Sequence, residues 1–266
     1  MKPFIGWWSE SQDYFQEAFI STATVVYPLP VNYWVVIPAA GIGTRMGMSM
    51  PKQYLPLLGK TVIEHTLDRL SSHPRIAGVV VVIAPGDTHW ESISPTGADG
   101  ARLTPIIAEG GVERYHSVLN GLHKLAGIAQ PQDWVLVHDA ARPCIRHVDI
   151  NTLIDSLADH AVGGLLGVPV SDTVKRADNA GNVLDTVNRH GLWRAMTPQM
   201  FRLEVLTHAL HYAVTQHLPV TDEAAAMELC GFAPLMVEGH ADNIKITHPQ
   251  DLVLAELYIR QQEDGA

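Results

Sequence analysis

Positive charge and cysteine are both scarce in this chain. Its 266 residues carry 18 lysines and arginines against 28 aspartates and glutamates, a net charge of −10. A general nucleic-acid surface needs basic side chains clustered over a broad face, so the balance argues against a nucleic-acid partner. The two cysteines, Cys144 and Cys230, offer neither a disulfide framework nor a metal-ligand spacing. They read as buried, reduced thiols, which suits a cytoplasmic protein. No apolar run approaches the length of a membrane span, so no membrane partner is expected. His138, His190 and the other histidines do not fall at metal-ligand spacings and read as surface or packing residues. Two nucleotide-binding fingerprints are missing as well. Gly41-x-Gly43 is not completed as Gly-x-Gly-x-x-Gly, and no Gly-Lys-Ser/Thr closes a Walker A loop. No acid ends a second strand about twenty residues on, where a dinucleotide fold would hold its ribose.

What is present is a glycine loop with cations. The apolar run Trp34–Ile37 leads into Pro38-Ala39-Ala40-Gly41-Ile42-Gly43-Thr44-Arg45-Met46-Gly47, and Pro51-Lys52-Gln53-Tyr54 follows. Glycines let a backbone approach an anion with its N–H groups exposed, and Arg45 and Lys52 supply charge that a nicotinamide dinucleotide would not need. On these residues alone the loop reads equally as a polyphosphate site and as an ordinary tight turn.

The first thirty residues hold Trp7, Trp8 and Phe15 without a sustained period, and Glu10, Asp13 and Glu17 interrupt any signal-peptide core. From Tyr33 strands and helices alternate. Thr61-Val62-Ile63-Glu64 is a capping box opening an amphipathic helix whose face carries Val62, Ile63, Leu67 and Leu70. Strands are expected at Val79 to Ala84, Thr104 to Ala108, Trp134 to His138 and Leu165 to Val170, with helices from Glu113 to Leu125 and from Val148 to Ala158. Continuous runs of Val and Ile mean strands covered on both faces, and the βα rhythm makes the sheet mostly parallel, an α/β fold. Ligands of such sheets sit beyond the carboxyl ends of the strands, where each polar motif here falls. Residues 171 to 190 break the rhythm as a β-hairpin with an Asn- and Gly-rich turn, either a surface feature or an arm that packs on a second copy of the chain.

Eight segments, PAAGIGTRMG, PKQYLPLLGK, GGVERYHSV, VLVHDAARP, SDTVKRA, VNRHGLWRAMTPQ, VTDEAAAMELCG and VEGHADNIKIT, resemble in order and spacing the 2-C-methyl-D-erythritol 4-phosphate cytidylyltransferases of the non-mevalonate isoprenoid pathway. The resemblance runs from about Trp34 to the C-terminus. It implies a Rossmann-like nucleotidyltransferase fold over 33–266 with a protruding β-arm at about 171–190, leaving 1–32 as an extension outside the fold. It further implies a homodimer joined through that arm, CTP and 2-C-methyl-D-erythritol 4-phosphate as substrates, and Mg2+ as the divalent cation. A cytidylyltransferase for ribitol 5-phosphate shares much of the pattern. A nucleotide-binding regulatory protein without turnover is the alternative of another class, disfavoured by the paired cations.

By the same resemblance Arg45, Lys52 and Lys245 are the catalytic cations, with Lys245 arriving from a far strand. Ala39, Ala40, Gly41, Gly43, Gly111, Ser117 and Asp139 meet the nucleotide. Asp139, Arg142, Thr173, Arg189, Thr197 and Thr221 meet the acceptor, with Thr173 and Arg189 reaching into the partner subunit. Asp139 and Asp242 are the candidate metal ligands. Val112 stands where many members carry Asp, and a valine accepts no hydrogen bond from an exocyclic amine.

Overall fold

Short continuous stretches of Val, Ile and Leu build the centre of the molecule. A computed structural model describes residues 31–41, 50–93 and 104–264, so Gly43 and Arg45 lie outside the described residues. Strand β1 (Tyr33–Pro38) pairs in parallel with β4 (Ile76–Ile83) on one side and β6 (Trp134–Val137) on the other, and β5 (Ile106–Glu109) adds in parallel to β4. The period-2 rule then divides each strand between two cores. Val35 and Ile37 enter one and Val36 the other, all fully buried. That two-sided burial is why these strands read as unbroken apolar runs.

Helices cover both faces. Against the first pack α1 (Val62–Ser71) and α3 (His147–Leu157); against the second pack α2 (Arg114–Leu125), α4 (Leu203–Thr215) and α5 (Glu223–Leu229). The start of α1 is the expected capping box: Glu64 N–H donates to Thr61 Oγ1, and the Glu64 carboxylate accepts from Thr61 N–H at 2.8 Å. Its fully buried Ile63, Leu67 and Leu70 each contribute about 1.5–3 kcal/mol through burial. The C-terminal α6 (Pro249–Asp264) joins a third, smaller core through Ala255 and Ile259, against Leu55, Leu57 and Val62. Leu57 belongs to a tight pair, β2 (Pro56–Leu57) with β3 (Lys60–Thr61), directly before α1.

Beyond β6 the expected strand at Leu165 to Val170 forms, and two strands that were not read from the sequence flank it. Beyond β6 lie β10 (Trp193–Arg202), β7 (Gly163–Pro169) and β11 (Leu235–Glu238), giving the order β11-β7-β10-β6-β1-β4-β5. β10 runs antiparallel to both neighbours and every other pairing in the sheet is parallel. A proline inside a segment argues against a central strand, and Pro198 sits in β10. The ladder to β7 is interrupted between Ala195 and Gln199, so Pro198 falls where no ladder bond is made.

The hairpin forms as β8 (Val174–Ala177) with antiparallel β9 (Val183–Val187). Its turn is set by Asp178, whose Oδ1 accepts from the Ala180 and Asn182 N–H groups at 2.9 Å each, and by Gly181 at φ +86°. Val183 and Leu184 are each 62% exposed. The two described residues ahead of Tyr33 are also anchored. Val31 packs on the first core, and the Asn32 N–H donates to Asp133 Oδ1 at 3.0 Å.

Candidate active site

Strand order changes direction at β1: β4 and β5 extend one way and β6 the other. In an open α/β sheet the loops diverge there and leave a crevice. A cavity of about 440 Å3 occupies this place, lined by the loops that follow β1, β5 and β6, by the Lys52–Tyr54 turn and by Lys245 and Thr247.

Each wall has a local cause. After β1, the Ala39 N–H extends the ladder by donating to the Val82 carbonyl at 2.8 Å. After β5, the Gly110 N–H donates to the Ile83 carbonyl at 2.7 Å. A side chain on Gly110 would place its Cβ 2.3 Å from that of Ala40, so glycine is needed for the two loops to approach. The Gly111 N–H donates to Ser117 Oγ at 3.1 Å, and that hydroxyl donates onward to the Glu113 carbonyl at 3.3 Å. After β6, the His138 N–H donates to the Val36 carbonyl and the chain turns out at Asp139.

Asp139 is the centre of charge. Its carboxylate is 8% exposed and accepts from Arg114 Nε at 3.1 Å, Arg142 Nε at 3.2 Å and Lys245 Nζ at 3.0 Å. Burial alone would raise its pKa, but the charges of Arg114, Lys245 and Arg142 outweigh that and hold it well below the usual carboxylate range. Arg114 also reaches Glu223, a fully buried carboxylate, through both terminal nitrogens at 2.6 and 3.1 Å. Burial works against this guanidinium, and Glu223 and Asp139 together raise its pKa despite it.

Beneath Asp139 lies a small polar chain. The Asp139 N–H donates to Thr197 Oγ1, which stands 3.1 Å from His138 Nδ1, while His138 Nε2 stands 3.1 Å from the Arg142 carbonyl. A carbonyl only accepts, so Nε2 carries the proton and Nδ1 accepts from Thr197. Burial drives the His138 pKa down to about 4, opposed by that carbonyl bond, so the imidazole is neutral across the physiological range.

The far side comes from residues 243–247, which run past the β6 loop without joining the sheet. Arg142 Nη1 donates to the Asn243 carbonyl at 2.8 Å, the Ile246 N–H donates to Ala141, and Lys52 Nζ donates to the Ile246 carbonyl at 2.7 Å. Lys245 is therefore on an extended segment rather than a strand.

The fold thus brings Ala39, Ala40, Gly41, Lys52, Gly111, Ser117, Asp139 and Lys245 to one cleft, with Arg142 immediately behind. Thr197 is 4% exposed and its hydroxyl is taken by internal bonds, so it supports Asp139 from below. Thr173, Arg189 and Thr221 are exposed and do not line the cleft; the Arg189 guanidinium donates to the Ser171 carbonyl at the root of the arm. Asp242 does not reach the cleft either. Its Oδ2 accepts from Arg146 and from Gln262 Nε2 at 3.0 Å, which makes it a brace between α3, α6 and the Lys245 segment. Arg114, Glu223 and Gln53 escaped sequence reading as site residues. Their signals were inside the quoted segments GGVERYHSV, VTDEAAAMELCG and PKQYLPLLGK, but a charge there is read as solvated until its partner is known.

Among the described residues no three His, Cys, Asp or Glu side chains gather as a metal cage. The cleft offers Asp139, with both oxygens already facing cations, and Glu113 at its rim. That set fits an ion arriving with its own phosphate ligands better than an ion caged by protein.

Known proteins resemble this chain in sequence and in fold. The sequence profile of the 2-C-methyl-D-erythritol 4-phosphate cytidylyltransferases matches residues 33–261. The protein of that name from Hahella chejuensis is 53% identical over 228 residues, 86% of this chain and 93% of its own, and the one from Aeromonas hydrophila is 53% identical over 227 residues, 85% and 89%. Among solved structures, that of a 4-diphosphocytidyl-2C-methyl-D-erythritol synthase superposes with a TM-score of 0.72 at 36% identity, covering 86% of this chain and all of that one. The Francisella tularensis 2-C-methyl-D-erythritol 4-phosphate cytidylyltransferase gives the same TM-score and identity over 85% of this chain and 99% of its own. A profile spanning the whole sheet, relatives sharing half their residues and a matching fold together make this chain a member of the 2-C-methyl-D-erythritol 4-phosphate cytidylyltransferase family.

Proposed function

We propose that the cleft beyond β1, β5 and β6 is where this chain transfers the cytidylyl group of CTP to 2-C-methyl-D-erythritol 4-phosphate, giving 4-diphosphocytidyl-2-C-methyl-D-erythritol and pyrophosphate. An oxygen of the acceptor's phosphomonoester attacks the α-phosphorus as pyrophosphate leaves. The nucleophile is already an anion, so no general base is required; the barrier lies in anion repulsion and in charge on the leaving group. One observation carries the reading. Lys52 and Lys245 both line the cleft, Lys52 bonding the carbonyl of Ile246 and Lys245 bonding Asp139. In a chain of net charge −10, the cleft is lined by three cations, Lys52, Arg114 and Lys245, against Glu113 and Asp139.

In this reading the triphosphate lies along Ala39–Gly41 with Lys52 and Lys245 on its oxygens, joined by Arg45, and cytosine sits near Gly111 and Ser117. Asp139 stays ionised and moves no proton; it holds Arg114, Arg142 and Lys245 in place beside the acceptor. A divalent cation such as Mg2+, bound together with the triphosphate, would neutralise phosphate charge there, and Asp139 would be the carboxylate to hold it. Thr173 and Arg189 serve the cleft of a second copy in a homodimer. The exposed Val183 and Leu184 support this, because a lone two-stranded arm is marginal without a packing partner. The unpaired, buried Cys144 and Cys230 support a cytoplasmic setting, and residues 1–30 stand outside the catalytic fold. No described helix is long and apolar enough to cross a membrane.

The test is pyrophosphate release from CTP with Mg2+, using 2-C-methyl-D-erythritol 4-phosphate and ribitol 5-phosphate as separate acceptors. Release with the first and little with the second is expected. Release only with ribitol 5-phosphate, or with neither, overturns the reading.

A further inference from the structure

The Lys52–Tyr54 turn spends each of its side chains on a different wall of the cleft. Lys52 holds the segment at Ile246, and Tyr54 donates to Asp87 Oδ2 at 2.7 Å beyond β4. Between them Gln53, 4% exposed, donates from one atom, Nε2, to the Ala39 carbonyl at 2.7 Å and to the Gly41 carbonyl at 3.1 Å. A primary amide has two N–H bonds, and here both are used. Carbonyl and N–H point in opposite directions across a trans peptide. Bonding the Ala39 carbonyl to Gln53 therefore turns the Ala40 N–H away from that side chain.

We propose that Gln53 is a positioning residue for the nucleotide: by drawing two carbonyls of the glycine loop toward the turn, it removes acceptors from the path of the triphosphate and presents the Ala40 N–H to it. The inference rests on the cleft being the CTP site. A carboxylate in place of the carboxamide would set negative charge against two carbonyl oxygens and push the loop away. Protonated, the same carboxyl has one O–H to donate and restores one of the two bonds. Gln53→Glu therefore carries its own switch, and Gln53→Met, near in size but without donors, lacks it.

The experiment is steady-state kinetics of wild type, Gln53→Glu and Gln53→Met from pH 8.5 to 6, each normalised to wild type at the same pH. At pH 8.5 both variants should raise KM for CTP about tenfold, the scale of one or two lost neutral hydrogen bonds, with KM for the acceptor within about twofold of wild type. As pH falls, Gln53→Glu should recover toward wild-type KM while Gln53→Met does not. Three results overturn the inference: a wild-type KM for CTP in Gln53→Met, KM values for both substrates rising together, or identical pH dependence of the two variants. Should Gln53→Met fail to fold, the pH recovery of Gln53→Glu relative to wild type decides alone. Failure of wild type to release pyrophosphate from CTP would instead sink the cytidylyl-transfer reading, which the variants do not address.

Discussion

Replacing Asp139 with Asn gives the clearest separation of electrostatic organisation from chemistry. The carboxylate, 8% exposed, is the shared partner of Arg114, Arg142 and Lys245. With Glu223 included, three positive charges face two negative ones; the substitution leaves three against one. Removing one partner of a buried ion pair costs about 3–5 kcal/mol, and Asn keeps one acceptor oxygen, so the lower end, about 3 kcal/mol, is expected. For a domain of this size that lowers the thermal midpoint by roughly 6–12 °C. An added anion should replace the missing charge. Pyrophosphate at a fixed concentration is expected to raise the midpoint of Asp139→Asn more than that of wild type, because its affinity for the over-positive cleft increases. The acid limb supplies a sign. The folded pKa of Asp139 lies below the unfolded value of about 3.9, so its stabilisation is complete above that value and is lost as pH falls toward the folded one. The gap between wild type and variant should be constant from about pH 5 to 8 and narrow below about pH 4. Calorimetry with and without pyrophosphate measures all of this. A midpoint within about 2 °C of wild type, at odds with the expected scale, or equal lifting of both proteins by pyrophosphate, would refute the charge-hub account.

Other outcomes follow from the proposed reading of the cleft and its arm. Lys52→Ala and Arg45→Ala should each lower turnover by at least about 10²-fold in folded protein, since their charges act on the transition state; near-normal kcat in either removes that residue from the mechanism. Homodimers of Lys52→Ala and of Arg189→Ala should both be inactive, and mixing them should restore activity in heterodimers with one intact composite cleft; verified mixed dimers without recovery would confine the arm to its own subunit. Val112 lines the cleft rim and is 93% exposed. Val112→Asp should therefore sharpen discrimination of CTP over UTP, read as the ratio of the two kcat/KM values at equal magnesium, and an unchanged ratio assigns base selection to Gly111 and Ser117. Deleting residues 1 to 30 should leave turnover and thermal midpoint nearly unchanged, and a large loss in either would mean that the extension packs on the domain.

Much of the first half was legible because its signals are local. The α1 capping box needs four consecutive residues, and the burial of β1, β4 and β6 on both faces shows as unbroken apolar runs. The second half hid β10 behind Pro198, tolerated because the ladder skips it, and hid β11 in a four-residue strand paired only with β7. Lys245 lines the cleft from an extended segment, where the sequence reading had placed it on a strand. Asp242 looked like a metal ligand beside Lys245; it stands three residues before that lysine in the chain, and its side chain turns toward Arg146 and Gln262 instead.

The sequence by itself therefore determined the α/β class, the glycine loop with its neighbouring Lys52, the hairpin and, through eight ordered segments, the family. These rest on residues within a few positions of one another, where propensity, capping and periodicity act. Only the tertiary structure decided that Asp139 is a hub for three cations, that Arg114 is spoken for by Glu223, and that Gln53 grips the glycine loop from a neighbouring turn. Lys52 and Ile246 are 194 positions apart, Arg114 and Glu223 109. Their meeting depends on strand order and on β10 entering the sheet antiparallel. No local pattern encodes that order, because it is set by which packing of all the strands and helices together buries both faces of the sheet.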